Sequence, residues 1–217
     1  MKNLLTVLFL CLSIVSFSQK VKIDSVAFII THGELSFYLD KDTSSFISVQ
    51  TINKNDINKL TGERSDKWHK ESPYGPYKKD YYVHSGYDLG HLTPSNITSY
   101  VDSTNYNSFS LFNQAPQLAG FNRGKWAQIE AKVVEKIKAS EKKAIVITGV
   151  IYDNIKPTYL GKSRIKIPIS YYKILVIGKT KTCWIGSNIN GEIIETDLKT
   201  ILEVARKNKN QINITIK

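Results

Sequence analysis

The chain has 217 residues, 41% apolar and 23% charged, with a formal net charge of +11. That length suffices for one domain with a sizeable core, and the apolar share excludes a disordered chain. The excess of Lys and Arg points to a polyanionic partner: nucleic acid, a membrane surface or an acidic polysaccharide. Residues 1–18 are expected to be a signal peptide, with Lys2 at its positive start, an apolar run from Leu4 to Val15, and Ser16-Phe17-Ser18 before the cut. The run is too short for a membrane span. Phe9-Leu10 ahead of Cys11 make a poor lipidation signal. Cleavage takes one positive charge from +11 and leaves +10. It also removes Cys11, so only Cys183 remains, which excludes an internal disulfide and a cysteine metal site. The expectation is a secreted or periplasmic protein with a single domain over residues 19–217.

The first elements read as strands: residues 21–31, 33–39 and, most clearly from its alternation, 46–52. Residues 55–60 read as a short helix. A long polar and aromatic loop follows over 61–86, with Arg64, Lys67, Trp68, His69 and Lys70 among its members. Basic residues interleaved with aromatics suit a phosphate backbone and unstacked bases; they also suit a loop that plugs the core edge. Residues 87–95 read as a turn that presents His91. Ser108–Phe112 reads as a strand ending at Asn113, and residues 120–124 as a turn. An amphipathic helix is expected from Lys125 to Ala139, because Trp126, Ile129, Val133 and Ile137 recur at helical spacing. Ala144–Val150 reads as a buried central strand, residues 166–177 and 182–189 as two more, and residues 197–207 as a last helix. Strands and helices do not alternate as βαβ units, so the fold class expected is α+β, an antiparallel central sheet flanked by helices. The basic, polar C-terminus has no assigned role.

The chemistry concentrates between Tyr87 and Glu130. Asp88-Leu89-Gly90-His91-Leu92-Thr93-Pro94 supplies an imidazole between a carboxylate three residues back and a glycine. An ordinary imidazole titrates near about 6.5 and so takes a proton from water at neutral pH. Gly90 is read as permitting a backbone conformation that other residues resist. Asn113-x-x-Pro116-Gln117 supplies amides, and Asn122-x-x-x-Trp126-x-x-x-Glu130 an amide and a carboxylate. Oxygen donors of this kind suit a hard divalent cation that keeps most of its water. Asn122 is alternatively a helix N-cap, Glu130 a surface glutamate and Asn113 a buried structural amide. Trp126, Pro116 and Gln117 are read as packing. Eight residues of continuous helix span about 12 Å, so Asn122 and Glu130 act on one ion only if the helix starts after Gly124. A zinc site from His69, His84 and His91 fits no familiar ligand spacing, and His32 is uninformative.

These three motifs, in this order and spacing, resemble the DNA/RNA non-specific endonucleases, which include secreted bacterial nucleases and mitochondrial endonuclease G. The resemblance covers roughly residues 35–205. It implies a ββα-metal (His-Me finger) site that hydrolyses phosphodiester bonds of DNA and RNA with hydrated Mg2+, or Mn2+ in its place. It implies His91 as general base, Asp88 as its orienting neighbour, Asn122 as the protein ligand of the ion and Glu130 as a holder of water on the ion. Asn113 is expected to position that water or the substrate, and Arg64, Arg123 and Lys125 to bind phosphate. The family usually carries arginine where this chain has Leu89, and commonly another where it has Val134; Arg64, Arg123 and Lys125 are the cations expected to stand in. The rival classes are a nuclease-like nucleic-acid-binding protein of little or no activity and a basic surface-adhesion protein. A homodimer is compatible with the sequence, and any inhibitor would be another chain.

Overall fold

The computed structural model describes residues 20–24, 28–39, 45–59, 67–70 and 79–216. The expected signal peptide, Cys11 and Arg64 lie outside them. The strands are β1 (Val21–Asp24), β2 (Phe28–His32), β3 (Leu35–Leu39), β4 (Ser45–Ile52), β5 (Tyr87–His91), β6 (Gln114–Leu118), β7 (Ala144–Ile151), β8 (Ser170–Ile177), β9 (Thr180–Ser187), β10 (Ile193–Thr196) and β11 (Asn213–Ile216). The helices are α1 (Lys54–Asn58), α2 (Asp102–Ser108), α3 (Ala119–Phe121), α4 (Ala127–Lys138) and α5 (Leu198–Lys207). Seven strands form one antiparallel sheet in the order β10-β9-β8-β7-β4-β3-β2. The α+β expectation therefore holds. Two smaller pairs, β5-β6 and β1-β11, lie outside that sheet. The second gives the unassigned C-terminus its place: it zips antiparallel onto the first strand.

Strand alternation divides the core in two. On β7, Ala144 and Val146 face the cluster that contains Ile129, Val133 and Ile137 of α4. Ile145 and Ile147 face the cluster that contains Ile201 and Ala205 of α5. Covered on both faces, β7 is buried along its length, which is why it reads as a continuous apolar run. Helix α4 has no side-chain cap at its start. Its three buried aliphatic residues, at roughly 1.5–3 kcal/mol each, outweigh a cap worth about 1 kcal/mol, so packing fixes this helix.

One stretch of the sheet face toward α4 is polar. Ser48, Thr148 and Lys173 stand side by side on β4, β7 and β8, all of them buried. The loop after β5 seats on this row: Ser48 Oγ lies 2.8 Å from Thr93 Oγ1, and Lys173 Nζ donates to the Leu92 carbonyl at 3.4 Å.

Several local expectations change. Residues 87–91 form a strand rather than a turn. Ser108–Phe112 is the end of α2 and a tight helical turn, and the strand begins at Gln114 instead. The apolar run there packs as helix and turn, whereas Gln114–Leu118 carries proline and two amides, so its strand character lies in its partners. Pro116 lacks an N–H, which a strand at the sheet edge tolerates. On that edge the Asn188 amide takes the place of a further strand, accepting from Leu118 N at 2.9 Å and donating to the Pro116 carbonyl at 3.0 Å. Helix α4 starts at Ala127, two residues later than expected.

Candidate active site

The site is built on β5, β6 and α4, a hairpin and a helix. In β5, alternation puts Asp88 and Gly90 on one face and Tyr87, Leu89 and His91 on the other. The second face is apolar. Tyr87, Leu89 and Trp68 pack against Tyr82, Leu111, Leu160 and Ile165. At its end the His91 ring joins a three-ring aromatic cluster, with the Trp68 centroid at 4.5 Å, the Phe109 centroid, edge-on, at 4.9 Å, and those two rings 5.3 Å from each other. The short segment that carries Trp68 is pinned beside Phe109 by its own backbone: His69 N donates to the Phe109 carbonyl, and Leu111 N to the His69 carbonyl. This pairing across some forty residues of sequence brings the tryptophan onto the imidazole.

Asp88 does not orient the His91 ring as expected. Its carboxylate on the opposite face accepts Asn122 Nδ2 at 2.9 Å and a fork from Arg123, Nε at 2.9 Å and Nη2 at 2.6 Å. Burial pushes the Asp88 carboxyl up, but the bonds from Arg123 and Asn122 and the Arg123 charge hold it below its ordinary value. With Nδ2 donating to Asp88, the Asn122 side chain presents its oxygen, an acceptor and cation ligand, in a defined direction. Arg123, expected to bind phosphate, is spent largely on Asp88, although its side chain stays 73% exposed. Lys125 is exposed at the helix start.

Asn113 has the surroundings of the buried structural amide that the sequence left open. It is fully buried, and its amide clasps the loop after His91. Oδ1 accepts from Thr93 N at 2.9 Å; Nδ2 donates to the Thr93 and Ser108 carbonyls, each at 2.7 Å. These bonds hold the backbone of the His91 loop in place. The glycine before His91 is also explained differently: a Cβ on Gly90 would sit 2.3 Å from Gln117 Oε1, so the residue is excluded by space rather than by backbone angle.

Asn122 is not an N-cap. It closes α3 with helical angles and opens one wide, π-type turn to Trp126, broken by Gly124 at φ −104°, ψ −110°. Such inserted turns bend a helix and re-aim its side chains. The regular helix begins at Ala127, so Glu130 lies in its first turn, as the shared-ion argument requires. Its side chain is only 15% exposed, and Glu130 Oε1 lies 3.7 Å from Lys173 Nζ. Lys173 is the residue that sequence reading passed over. A lone lysine inside the apolar strand 171–177 is the signal that marks it.

The donors fit a hard divalent cation. The Asn122 amide oxygen, directed by Asp88, and the Glu130 carboxylate in the first turn of α4 are oxygen ligands of the type such an ion takes. Among the described residues no group of three His, Cys, Asp or Glu side chains is placed to hold a metal, which does not fit a structural zinc site. His69 stacks on Tyr106 at 4.0 Å instead.

Comparison with known proteins shows the family and the fold. The human protein "Endonuclease G, mitochondrial" is 26% identical over 105 residues, 44% of this chain and 35% of that protein. A "Nuclease" of Nostoc sp. is 28% identical over 147 residues, 66% of this chain and 51% of that protein. The chain thus spans between a third and a half of the length of these curated relatives. A crystal structure of endonuclease G with EndoGI, described as showing the mechanism of EndoG inhibition, superposes with a TM-score of 0.70. It covers 82% of this chain and 83% of that one at 20% identity, and so shares the ββα-metal fold. The family model "DNA/RNA non-specific endonuclease" matches residues 16–214, and the chain belongs to that family.

Proposed function

We propose that this protein is a secreted or periplasmic endonuclease that hydrolyses DNA and RNA phosphodiester bonds with a divalent cation. The observation that carries the reading is the Asp88 carboxylate fixing the Asn122 amide on the same hairpin-helix unit that presents His91 and Glu130. Asn122 would hold Mg2+ and Glu130 its hydration, and the ion supplies charge neutralisation at the phosphate. His91 takes the proton from the attacking water; the packed rings of Trp68 and Phe109 hold its plane. Contacts of this kind address phosphate rather than base edges, so base sequence matters little. A 5′-phosphate product is what the family implies.

A second reading is favoured by Leu89. Its side chain is half-buried against Tyr82, Leu111, Leu160 and Ile165, and Val134 packs against the core under α4. At neither position usual for arginine does this chain carry a cation, which suits a nucleic-acid-binding protein of little activity. The test is cleavage of plasmid DNA and of RNA by the mature protein, with Mg2+ and with EDTA, beside H91A and N122A. Metal-dependent cutting lost in both variants establishes the nuclease. Salt-sensitive binding without cutting under any metal establishes the binder. Sequencing the N-terminus of exported protein checks the cut after Ser18.

A further inference from the structure

We infer that Lys173 is a positioning residue of the active site: from inside the sheet its ammonium holds the Glu130 carboxylate and the loop that follows His91. The inference rests on the nuclease reading above. Lys173 lies mid-strand in β8 with its side chain 1% exposed. Nζ donates to Thr148 Oγ1 at 2.7 Å and to the Leu92 carbonyl at 3.4 Å, approaches Glu130 Oε1 at 3.7 Å and lies 5.3 Å from the centroid of the Trp126 ring. One charge thus contacts three elements. Leu92 follows the general base, Glu130 and Trp126 frame the start of α4, and Thr148 anchors the lysine to the neighbouring strand.

Nothing in the packing of the sheet demands a cation here. Leu175, two residues on and on the same face, packs into the core beside Val146, and an apolar side chain would fit that pattern. An ammonium taken out of water is strongly unfavourable unless paired, and a buried ion pair rarely outperforms well-packed hydrophobes in stability. What it provides is a fixed, charge-assisted direction. Glu130 is held from below by a positive charge in a chain that has Leu89 and Val134 where the family commonly uses arginine. The lysine occupies a different element, at the end of the Ser48–Thr148–Lys173 row on which the His91 loop is seated.

The test compares K173M, K173Q, K173R and E130Q, and K173M/E130Q. Three readouts are taken: kcat and KM on a short DNA duplex, affinity for Mn2+ alone by calorimetry, and Tm. K173M is expected to lower kcat roughly 10–100-fold with KM changed less than about twofold, and to weaken Mn2+ binding by about tenfold. K173Q, which keeps a donor for Thr148 but not the charge, carries the same expectation and serves if K173M does not fold. K173R restores most of the loss. In the E130Q background K173M adds less than about twofold, because both changes remove one interaction. The inference is overturned if K173Q keeps wild-type kcat and Mn2+ affinity, or if the K173M and E130Q losses multiply. A wild type that binds Mn2+ but cleaves nothing overturns the nuclease reading instead, and the Mn2+ affinity of K173Q still decides the lysine.

Discussion

His91 and Asn122 belong to one hairpin-helix unit, yet their surroundings differ in kind. Around His91 the contacts are aromatic: Trp68 and, edge-on, Phe109, which also touch each other, with Leu89 in an apolar cluster on the same strand face. Around Asn122 they are charged and directional, through the Asp88–Arg123 fork and, further along, Glu130 and Lys173. The difference matches the two jobs. A base must change its charge within each cycle, so rings that hold its plane suit it better than an ion pair that favours one protonation state. A ligand for a cation keeps one state throughout, and fixed charges are the strongest way to aim it.

The comparison breaks most visibly at His91. H91A is expected to reduce kcat by about 10²–10⁴-fold, the usual worth of a general base, while Mn2+ affinity measured by calorimetry stays unchanged. A variant that also lost the metal would show that the two arms are not separate. At the other arm, D88N keeps the shape of the carboxylate and removes its charge. It is expected to weaken metal affinity roughly 10–100-fold, as for other groups that orient a ligand, with kcat at saturating Mg2+ changed far less. The same carboxylate gives a pH signature. Its folded value lies below the ordinary one, so its contribution to stability is complete above the unfolded value and is lost as pH falls through the folded one. Urea midpoints of wild type and D88N should therefore converge in acid and separate toward neutral pH.

Trp68 sharpens the contrast further. W68A removes the ring against His91 and is expected to cost about tenfold in kcat, within the range for a slightly misplaced group, with metal affinity intact. W68F keeps an aromatic face and should recover most of the rate. If W68A moved metal affinity and left kcat alone, the aromatic arm would not be positioning the base.

What could be read in advance depended on how local the cause was. Ala144–Ile151 announces itself through its apolar run, and the strand read at 182–189 and the helix read at 197–207 fall within two residues of β9 and α5, because burial acts within each segment. The three motifs carried the family for the same reason. What escaped was set by residues far away in sequence. Asp88 faces Asn122 only because β5 and β6 pair, Asn113 is spent on Thr93, and Gly90 is demanded by Gln117 across the hairpin. Strand β11 exists because β1 is there to receive it. Lys173 looked like one polar residue in an apolar strand; its meaning lies in Leu92, Thr148 and Glu130, which only the packed sheet brings within reach.

The last expected effect concerns that lysine and stability alone. Burial pushes Lys173 down from 10.5 to about 8, with Glu130 pulling it partly back up. The folded value is thus below the unfolded one, and between about pH 8 and 10.5 the unfolded chain binds more protons. Stability from this group is therefore lowest below pH 8 and rises with pH across that window, by at most about 1.4 kcal/mol per unit. K173M lacks the rise. Subtracting its unfolding free energy from that of wild type, at pH 7 and again at pH 9.5, removes the surface groups common to both. The difference should move in favour of wild type as pH increases. A flat difference would mean that the ammonium is compensated by its acceptors well enough to keep its ordinary basicity, and the charged arm would then be firmer than the aromatic one.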